Sequence, residues 1–235
     1  MTDTGESAVR TQPPHIIVLA SEKGGVGKTT LAVELASVIA DSSGRCLLVD
    51  VDQQRTAEEI VAAAGEALPF DFAVESDPRV LLELKNVRQY DSIIVDTAGS
   101  LQASAFLVEI LASADFVLIP MIPERASVTP TVRTAQLCVQ QGVPFRVVLN
   151  QVDPLRGAGP TESAWALLDE MGLPRTRSFV RRYVAHSQAQ LDGIPITAYR
   201  GDRSWRSALD DVRRLHAEIL IGLGRLSPSP ALKVS

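Results

Sequence analysis

The sequence predicts an α/β protein with a single doubly wound, mostly parallel sheet that has helices on both faces. Nearly continuous apolar runs, which are typical of buried parallel strands, alternate along the chain with stretches of helical periodicity. A glycine-rich segment separates the first apolar run from the first helical stretch, and two later runs end in aspartate. With 235 residues, 46% of them hydrophobic, the chain is long enough to bury one sizeable core.

Each predicted element has its own local signal. Short apolar runs predict strands at residues 15–19, 46–49, 70–74, 92–95, 116–120, 145–150 and 178–180. Helical spacing of apolar residues, or a proline near the first turn, predicts helices at residues 31–39, 56–64, 78–88, 126–141, 161–171, 185–191 and 203–223. Because crossovers between parallel strands are right-handed, these helices are expected on both faces of the sheet.

The predicted elements fall in one domain, residues 15–224. Residues 1–14 are polar and end in proline, so we expect a flexible N-terminal arm there; residues 225–235 contain Ser-Pro repeats and are expected to be a disordered tail. Cys46 and Cys138 are too few for a disulfide framework and lack metal-ligand spacing, which favours two small buried residues in a reducing cytoplasm. No apolar run approaches the roughly 18 residues that a membrane span needs.

Charge is distributed unevenly along the chain. The formal net charge of −5 argues against a uniformly basic nucleic-acid-binding protein. Residues 175–225, however, contain ten arginines, no lysine and five acidic residues, which leaves +5 on this stretch and −10 on the remainder. The C-terminal part is therefore basic.

The glycine-rich segment, residues 20–30 with the sequence ASEKGGVGKTT, predicts a phosphate-binding loop. It lies between a predicted strand and a predicted helix, where backbone N–H groups and the helix dipole can both face an anion. A glycine turn that only caps a helix would explain the glycines but not Lys23, Lys28 and Thr29 together. Lys28 can reach the β- and γ-phosphates, and the Thr29 hydroxyl is a natural Mg²⁺ ligand. The predicted nucleotide-binding residues here are Gly24, Gly25, Val26, Gly27, Lys28, Thr29 and Thr30.

Acidic residues follow two of the predicted strands. Asp96 ends the run Ile93–Val95 and is the carboxylate expected to hold Mg²⁺ through a water molecule. Asp50 and Asp52 end another run and lie on the same side of an extended chain. One of these two could be a solvated loop acid instead.

Asn150 ends a further predicted strand. Its amide could present a donor and an acceptor to an adenine edge, although an asparagine at a strand end is also a common turn former. Asp153 follows three residues later without the preceding lysine of a guanine-reading motif, which favours adenine.

The run KGGVGKTT, residues 23–30, resembles the deviant phosphate loop of the ParA/MinD ATPases, and the chain is similar to the short plasmid-partition members over residues 15–222. The resemblance implies a P-loop ATPase with ATP and Mg²⁺ as cofactors, and it implies that Lys23 reaches a partner's nucleotide across an ATP-bound homodimer. It also implies that Asp52 orients the attacking water, that Asp50 supports the metal shell and that Asn150 contacts adenine. In one respect the chain departs from the family pattern, since Gln53 replaces the usual proline after Asp52.

Three functions remain open from the sequence. In a DNA-partition ATPase, the ATP dimer binds double-stranded DNA without sequence preference, and a ParB-like centromere-binding or cargo adaptor protein accelerates slow basal hydrolysis. This function implies a cytoplasmic, nucleoid-associated protein. A MinD-like membrane positioner would need an amphipathic, lysine-rich terminal helix, which residues 213–226 match poorly, so no membrane is expected. A metabolic ATPase or amidoligase is the third. The arginine excess favours DNA, and the candidate phosphate contacts are Arg181, Arg182, Arg203 and Arg206.

Overall fold

The structure is a computed structural model, and it describes residues 12–42, 44–52, 56–65, 68–97 and 105–224. The strands are β1 (His15–Leu19), β2 (Cys46–Asp50), β3 (Asp71–Val74), β4 (Ser92–Asp96), β5 (Phe116–Met121), β6 (Phe145–Val152) and β7 (Arg175–Arg181). The α-helices are α1 (Lys28–Asp41), α2 (Thr56–Ala64), α3 (Pro78–Leu82), α4 (Ala105–Ser113), α5 (Arg125–Gln140), α6 (Gly159–Glu170), α7 (Val184–Leu191) and α8 (Trp205–Leu223).

The seven strands form one sheet in the order β3-β2-β4-β1-β5-β6-β7, and every described pairing is parallel. The chain moves outward from β1 to β2 and β3, returns to β4 beside β1, and then continues on the other side of β1. Since this reversal takes place around β1, the carboxyl end of β1 lies at the crevice where doubly wound sheets bind ligands.

The sheet separates two apolar layers. Alternate residues of β1 point to opposite faces: Ile16 and Val18 pack into one layer, with residues of α3 to α6, while Ile17 and Leu19 pack into the other, with residues of α1, α7 and α8. All four of these side chains are buried, as is expected for a central strand covered on both faces.

Helix α8 runs antiparallel to β7. The Glu218 carboxylate accepts hydrogen bonds from the backbone N–H groups of Arg177 and Ser178 near the start of the strand, whereas Asp211 is bonded to Arg181 at its end. The first turn of α8 therefore lies at the carboxyl edge of the sheet, on the same side as the segment between β1 and α1.

The predicted fold class is confirmed, and the differences lie in single elements. The helix predicted at 78–88 is wrong as one piece: α3 begins after an Asp77 cap and ends at Leu82, and a 3-10 helix, Glu83–Asn86, follows it. Helix α4 was not predicted, because its continuous apolar run AFLVEIL has no clear period. Strand β7 is longer than the predicted 178–180. The prediction missed its outer residues because they are arginines and polar residues, which give no apolar run. The predicted arm 1–14 lies mostly, and the predicted tail 225–235 wholly, outside the described residues.

Within the described ranges, no helix is both long enough and apolar enough to cross a lipid bilayer.

Candidate nucleotide-binding site

The loop between β1 and α1 has the backbone of an anion cradle. Gly25 (φ 74°) and Gly27 (φ 81°) both lie in the left-handed region, which a residue with a side chain adopts only at a cost. Gly27 immediately precedes α1, so Lys28 and Thr29 occupy the first helical turn. Val26 is buried and anchors the loop on the core side. The first-turn N–H groups and the helix dipole are thus directed at the position of a bound phosphate.

Two amide side chains brace this loop from the end of β6. The Asn150 Nδ2 atom donates to the Val26 carbonyl at 2.7 Å, and Gln151 Nε2 donates to the Gly25 carbonyl at 2.8 Å. A Cβ atom on Gly27 would lie 2.7 Å from Asn150 Nδ2, so a side chain at position 27 would collide with the brace. Asn150 therefore has a structural partner in the loop besides its predicted adenine contact, and Gln151 is a loop contact that the sequence analysis missed. The only sequence signal for this role of Gln151 was its position beside Asn150.

Two buried aspartates lie next to each other at the strand ends. Asp50 of β2 is paired in register with Asp96 of β4, and both side chains are fully buried. Among the described residues, neither Asp96 carboxylate oxygen has a hydrogen-bond partner of normal geometry, and neither does Oδ2 of Asp50. Unpaired buried carboxylate oxygens of this kind fit a divalent cation that also contacts phosphate and water.

The pKa values of these carboxylates agree with a cation-binding site. Burial, and then repulsion from Asp50, raise the pKa of Asp96 to about 7, although the Thr29 hydroxyl and Lys28 oppose the rise. Burial also raises the pKa of Asp50. For Lys28, burial lowers the pKa, and attraction to Asp96 and Asp52 partly offsets this. A Mg²⁺ ion would stabilise the ionised form of both buried aspartates.

Asp52 lies two residues beyond β2 and is only half-buried. Its backbone N–H donates to Asp50 Oδ1 at 2.8 Å, so the two residues form one tight turn at the edge of the site. Gln53, which replaces the proline of the family pattern, lies outside the described residues. The water-orienting role of Asp52 stays a prediction.

Lys23 turns away from the phosphate cradle. Its Nζ atom forms an ion pair with Glu124, the residue before α5, and donates to Ser127 Oγ at 3.0 Å. Its trans role at a partner's nucleotide stays a prediction, because a single chain contains no partner site.

The four candidate DNA contacts fall into two groups. Arg181 forms a two-bond ion pair with the buried carboxylate of Asp211, which leaves it less available than the others. Arg182 is exposed near the nucleotide loop, with Asp153 at 3.7 Å. Arg203 and Arg206 are exposed at the start of α8. The sequence analysis missed exposed Arg200, whose guanidinium carbon lies 3.9 Å from the centroid of the Trp205 ring.

Beside the cradle lies a cavity of about 260 Å³. Its lining includes the loop-bracing amides Asn150 and Gln151, together with Arg182 and Tyr183. Residues of α1 and α7 also contribute to the lining. A nucleoside attached to phosphates in the cradle would enter this cavity.

Comparison with known proteins places this geometry in a family. A family model described as an AAA domain matches residues 14–68. The maintenance of carboxysome distribution protein A of Gloeobacter kilaueensis is 37% identical over 207 residues, which cover 88% of this chain and 94% of that protein. The chain belongs to the ParA/MinD family of Walker-type ATPases. Protein ParA of Rhizobium radiobacter is 32% identical over 149 residues, 59% of this chain and 65% of that protein.

The fold of this ATPase is also that of a solved structure. The MinD cell division protein of Aquifex aeolicus superposes with a TM-score of 0.70 at 22% identity, over 92% of this chain and all of that one. Membership in the family makes ATP hydrolysis the general activity, with ATP and Mg²⁺ as the cofactors of the phosphate loop. The residues that would hold Mg²⁺ beside the phosphates are Thr29 and Asp96, with Asp50 behind them.

Proposed function

We propose that this protein is an ATP-driven partition or positioning ATPase that dimerises on ATP, binds double-stranded DNA without sequence preference in that state, and is released when a partner protein stimulates hydrolysis. The basal hydrolysis is slow. Chemically, bound ATP supplies the phosphoryl group, while this chain orients it with the loop amides and Lys28 and positions the attacking water with Asp52.

The observation that carries the DNA-binding part is the placement of a basic cluster, which consists of Arg200, Arg203 and Arg206 around Trp205. All three guanidinium groups belong to exposed residues, and no carboxylate of the described residues forms an ion pair with Arg203 or Arg206. Two of them, those of Arg200 and Arg206, lie against the Trp205 ring. Arg200 also donates to the Thr197 and Tyr199 carbonyls, which fixes its position. Clustered exposed arginines that are not neutralised by carboxylates are suited to phosphate contacts, which are sequence-independent.

The basic cluster also lies at the carboxyl edge of the sheet, as does the phosphate loop, because α8 is antiparallel to β7. A dimer that joins two nucleotide sites at this edge would bring two copies of the cluster near a common surface. Doubling the number of phosphate contacts makes binding much stronger, so DNA affinity would depend on ATP.

The cargo is a separate question, and one relative bears on it. The relative from Gloeobacter kilaueensis, matched over 94% of its length, is named for carboxysome distribution. We therefore place a protein compartment first among the cargoes, before a plasmid or a chromosome, with an adaptor on the cargo as the stimulating partner.

The test compares arbitrary DNA and vesicles with anionic lipids as binding surfaces for the purified protein. Gel shift and co-sedimentation are measured with ATP, with ADP and without nucleotide. DNA binding that requires ATP and does not change with sequence supports the proposal. ATP-dependent pelleting with vesicles and no DNA shift would replace it with a membrane positioner, and binding to neither surface would favour a metabolic ATPase.

A further inference from the structure

The cavity beside the phosphate loop has a group of polar lining residues that the functions above do not use. In this group α1 contributes Glu34 and α7 contributes His186 and Gln190, while Gly27 and Thr30 belong both to the lining and to the phosphate cradle. Glu34 and His186 are both more than nine-tenths buried, at 3% and 9% exposure. Buried polar side chains are uncommon without partners, so their hydrogen bonding is informative.

The contact between Glu34 and His186 uses one of the two carboxylate oxygens and one of the two ring nitrogens. His186 Nδ1 lies 2.7 Å from Glu34 Oε1, and the Tyr183 ring is stacked beside the imidazole with 6.4 Å between ring centroids. The other side of the imidazole faces the Arg181 backbone carbonyl. Two buried atoms of this group have no hydrogen-bond partner among the described residues, namely Glu34 Oε2 and Gln190 Nε2. They offer a ligand one carboxylate acceptor and one amide donor.

The position of Glu34 on α1 indicates which part of a nucleotide reaches this group. Glu34 is four residues beyond Thr30, one helical turn, so the two side chains lie on the same face of α1. The sugar is the group that follows the α-phosphate, whereas the base lies beyond the sugar and has the amide of Asn150, in the lining of the same cavity, available to it. A sugar has vicinal hydroxyl groups, which both donate and accept, and carboxylates commonly bind such hydroxyls in nucleotide sites.

We propose that Glu34 and Gln190 form a ribose-selecting subsite, in which Glu34 Oε2 accepts a hydrogen bond from the 2′-hydroxyl, the Gln190 side-chain N–H donates to a sugar oxygen, and His186 holds the Glu34 carboxylate in place. This inference rests on nucleotide binding at the phosphate loop as proposed above. The subsite makes the protein select ribonucleotides over deoxyribonucleotides, which is a property of the bound sugar and is independent of DNA binding and of cargo.

The experiment measures the dissociation constants of Mg²⁺-ATP and Mg²⁺-2′-deoxy-ATP for the full chain by calorimetry. The wild type is expected to bind ATP about tenfold more tightly, the effect of one hydrogen bond to a charged group. Glu34→Met, which keeps the length of the side chain and removes the acceptor, is expected to weaken ATP binding until the two constants agree within about twofold, with 2′-deoxy-ATP binding unchanged. Gln190→Met should reduce the preference in the same direction, whereas Glu109→Met, on the exposed side of α4, should leave it unchanged.

Unchanged 2′-deoxy-ATP binding also reports that each variant is folded. Equal wild-type affinity for the two nucleotides would overturn the inference, as would an equal loss of both in Glu34→Met, since a cluster satisfied by water would behave in this way. Either result would leave the proposed function standing. Conversely, ribose selection without ATP-dependent DNA binding would support the subsite and contradict the proposed function.

Discussion

Lys23 in the phosphate loop and Glu124 before α5 form an ion pair between positions that are 101 residues apart. The Glu124 side chain is half exposed, and Lys23 lowers the pKa of Glu124 through a hydrogen bond and charge attraction. In the single chain, the lysine that is predicted to reach a partner's nucleotide is thus held by its own protomer. Dimerisation through Lys23 must exchange this contact for a new one.

Glu124→Gln is expected to promote ATP-dependent dimerisation by a few-fold, because it removes the ion pair that competes for Lys23. The effect is small since exposed ion pairs stabilise weakly. Light scattering over a protein concentration series in Mg²⁺-ATP measures it, with Glu162→Gln on α6 as a control of equal charge. A dimer weakened by Glu124→Gln would show that the contact supports the assembled state instead.

Lys23→Ala is expected to bind ATP but to remain monomeric, while the wild type forms dimers in Mg²⁺-ATP and monomers in ADP. The cradle is left intact, since Lys23 points away from it toward Ser127. Nucleotide binding and light scattering on the same sample separate the two effects. The same mass in every nucleotide state of the wild type would contradict the dimer model.

Lys28→Ala and Asp52→Ala should differ in the step that they impair. Lys28 lies in the first turn of α1 beside the cradle and is expected to contact phosphate, so its loss should weaken ATP binding by tenfold or more. Asp52→Ala should bind ATP normally and hydrolyse it slowly, which leaves a persistent dimer. Equilibrium binding and phosphate release measure the two properties. Loss of ATP binding in a folded Asp52→Ala protein would refute the water-orienting role.

Asp96→Asn is expected to stabilise the nucleotide-free fold while it abolishes Mg²⁺-dependent hydrolysis. Burial raises the pKa of Asp96 to about 7, so at pH 8 the wild type retains a buried ionised carboxylate that Thr29 and Lys28 compensate only in part. Removing it should raise the free energy of unfolding by about 1–3 kcal/mol. Urea unfolding at pH 8 without nucleotide provides the measurement; a less stable variant would mean that the carboxylate is satisfied in the folded protein.

His186 and His216 should respond to pH in opposite directions. Burial lowers the pKa of His186, but Glu34 (by charge and hydrogen bond), the Arg181 backbone carbonyl and Asp211 raise it more, so the folded value lies above the usual 6.5. Asp202 also faces the imidazolium. The stabilisation by His186 is then fully present below pH 6.5 and is lost as the pH rises through the folded pKa. For His216, burial lowers the pKa, so its neutral form is favoured and stability falls on acidification below 6.5.

The measurement is urea unfolding between pH 5 and pH 8 for the wild type, His186→Gln and His216→Gln, with about one pH unit between points. His186→Gln should cost most stability at acidic pH and least at alkaline pH. His216→Gln should be most favourable, relative to the wild type, at acidic pH. Variant curves that both run parallel to the wild-type curve would show that neither imidazole changes its pKa on folding.

Replacing Arg203 and Arg206 together by alanine is expected to weaken DNA binding in ATP and to leave basal hydrolysis near the wild-type rate. Both arginines would bind phosphates, so the log–log salt slope should fall by roughly one for each arginine that is replaced. Gel shifts at several salt concentrations measure this. Arg177→Ala with Arg214→Ala removes the same charge elsewhere on the surface, and an equally weakened control would assign the effect to net charge alone.

Local sequence patterns predicted most of the fold. The strands at 15–19 and 92–96 and the helix at 56–64 were predictable because apolar periodicity and terminal aspartates act within short windows. Helix α4 was not predictable in this way, since its apolar residues cover all sides and only the packing of the neighbouring elements distinguishes it from a strand. The break after Leu82 likewise depends on how α3 meets the sheet.

The sequence alone determined that this protein carries a phosphate loop with an extra lysine, and that aspartates end two of its parallel strands. Both features can be recognised from consecutive residues, because the backbone freedom of glycine and the end of a strand are local properties. Only the tertiary structure decided which distant groups come into contact. Asn150 donates to Val26, Glu124 forms an ion pair with Lys23, and His186 pairs with Glu34 across 152 residues. These contacts depend on the packing of α1 against α7 and of the phosphate loop against β6 and α5. No local pattern specifies that packing, because it is selected by the fit of the whole core.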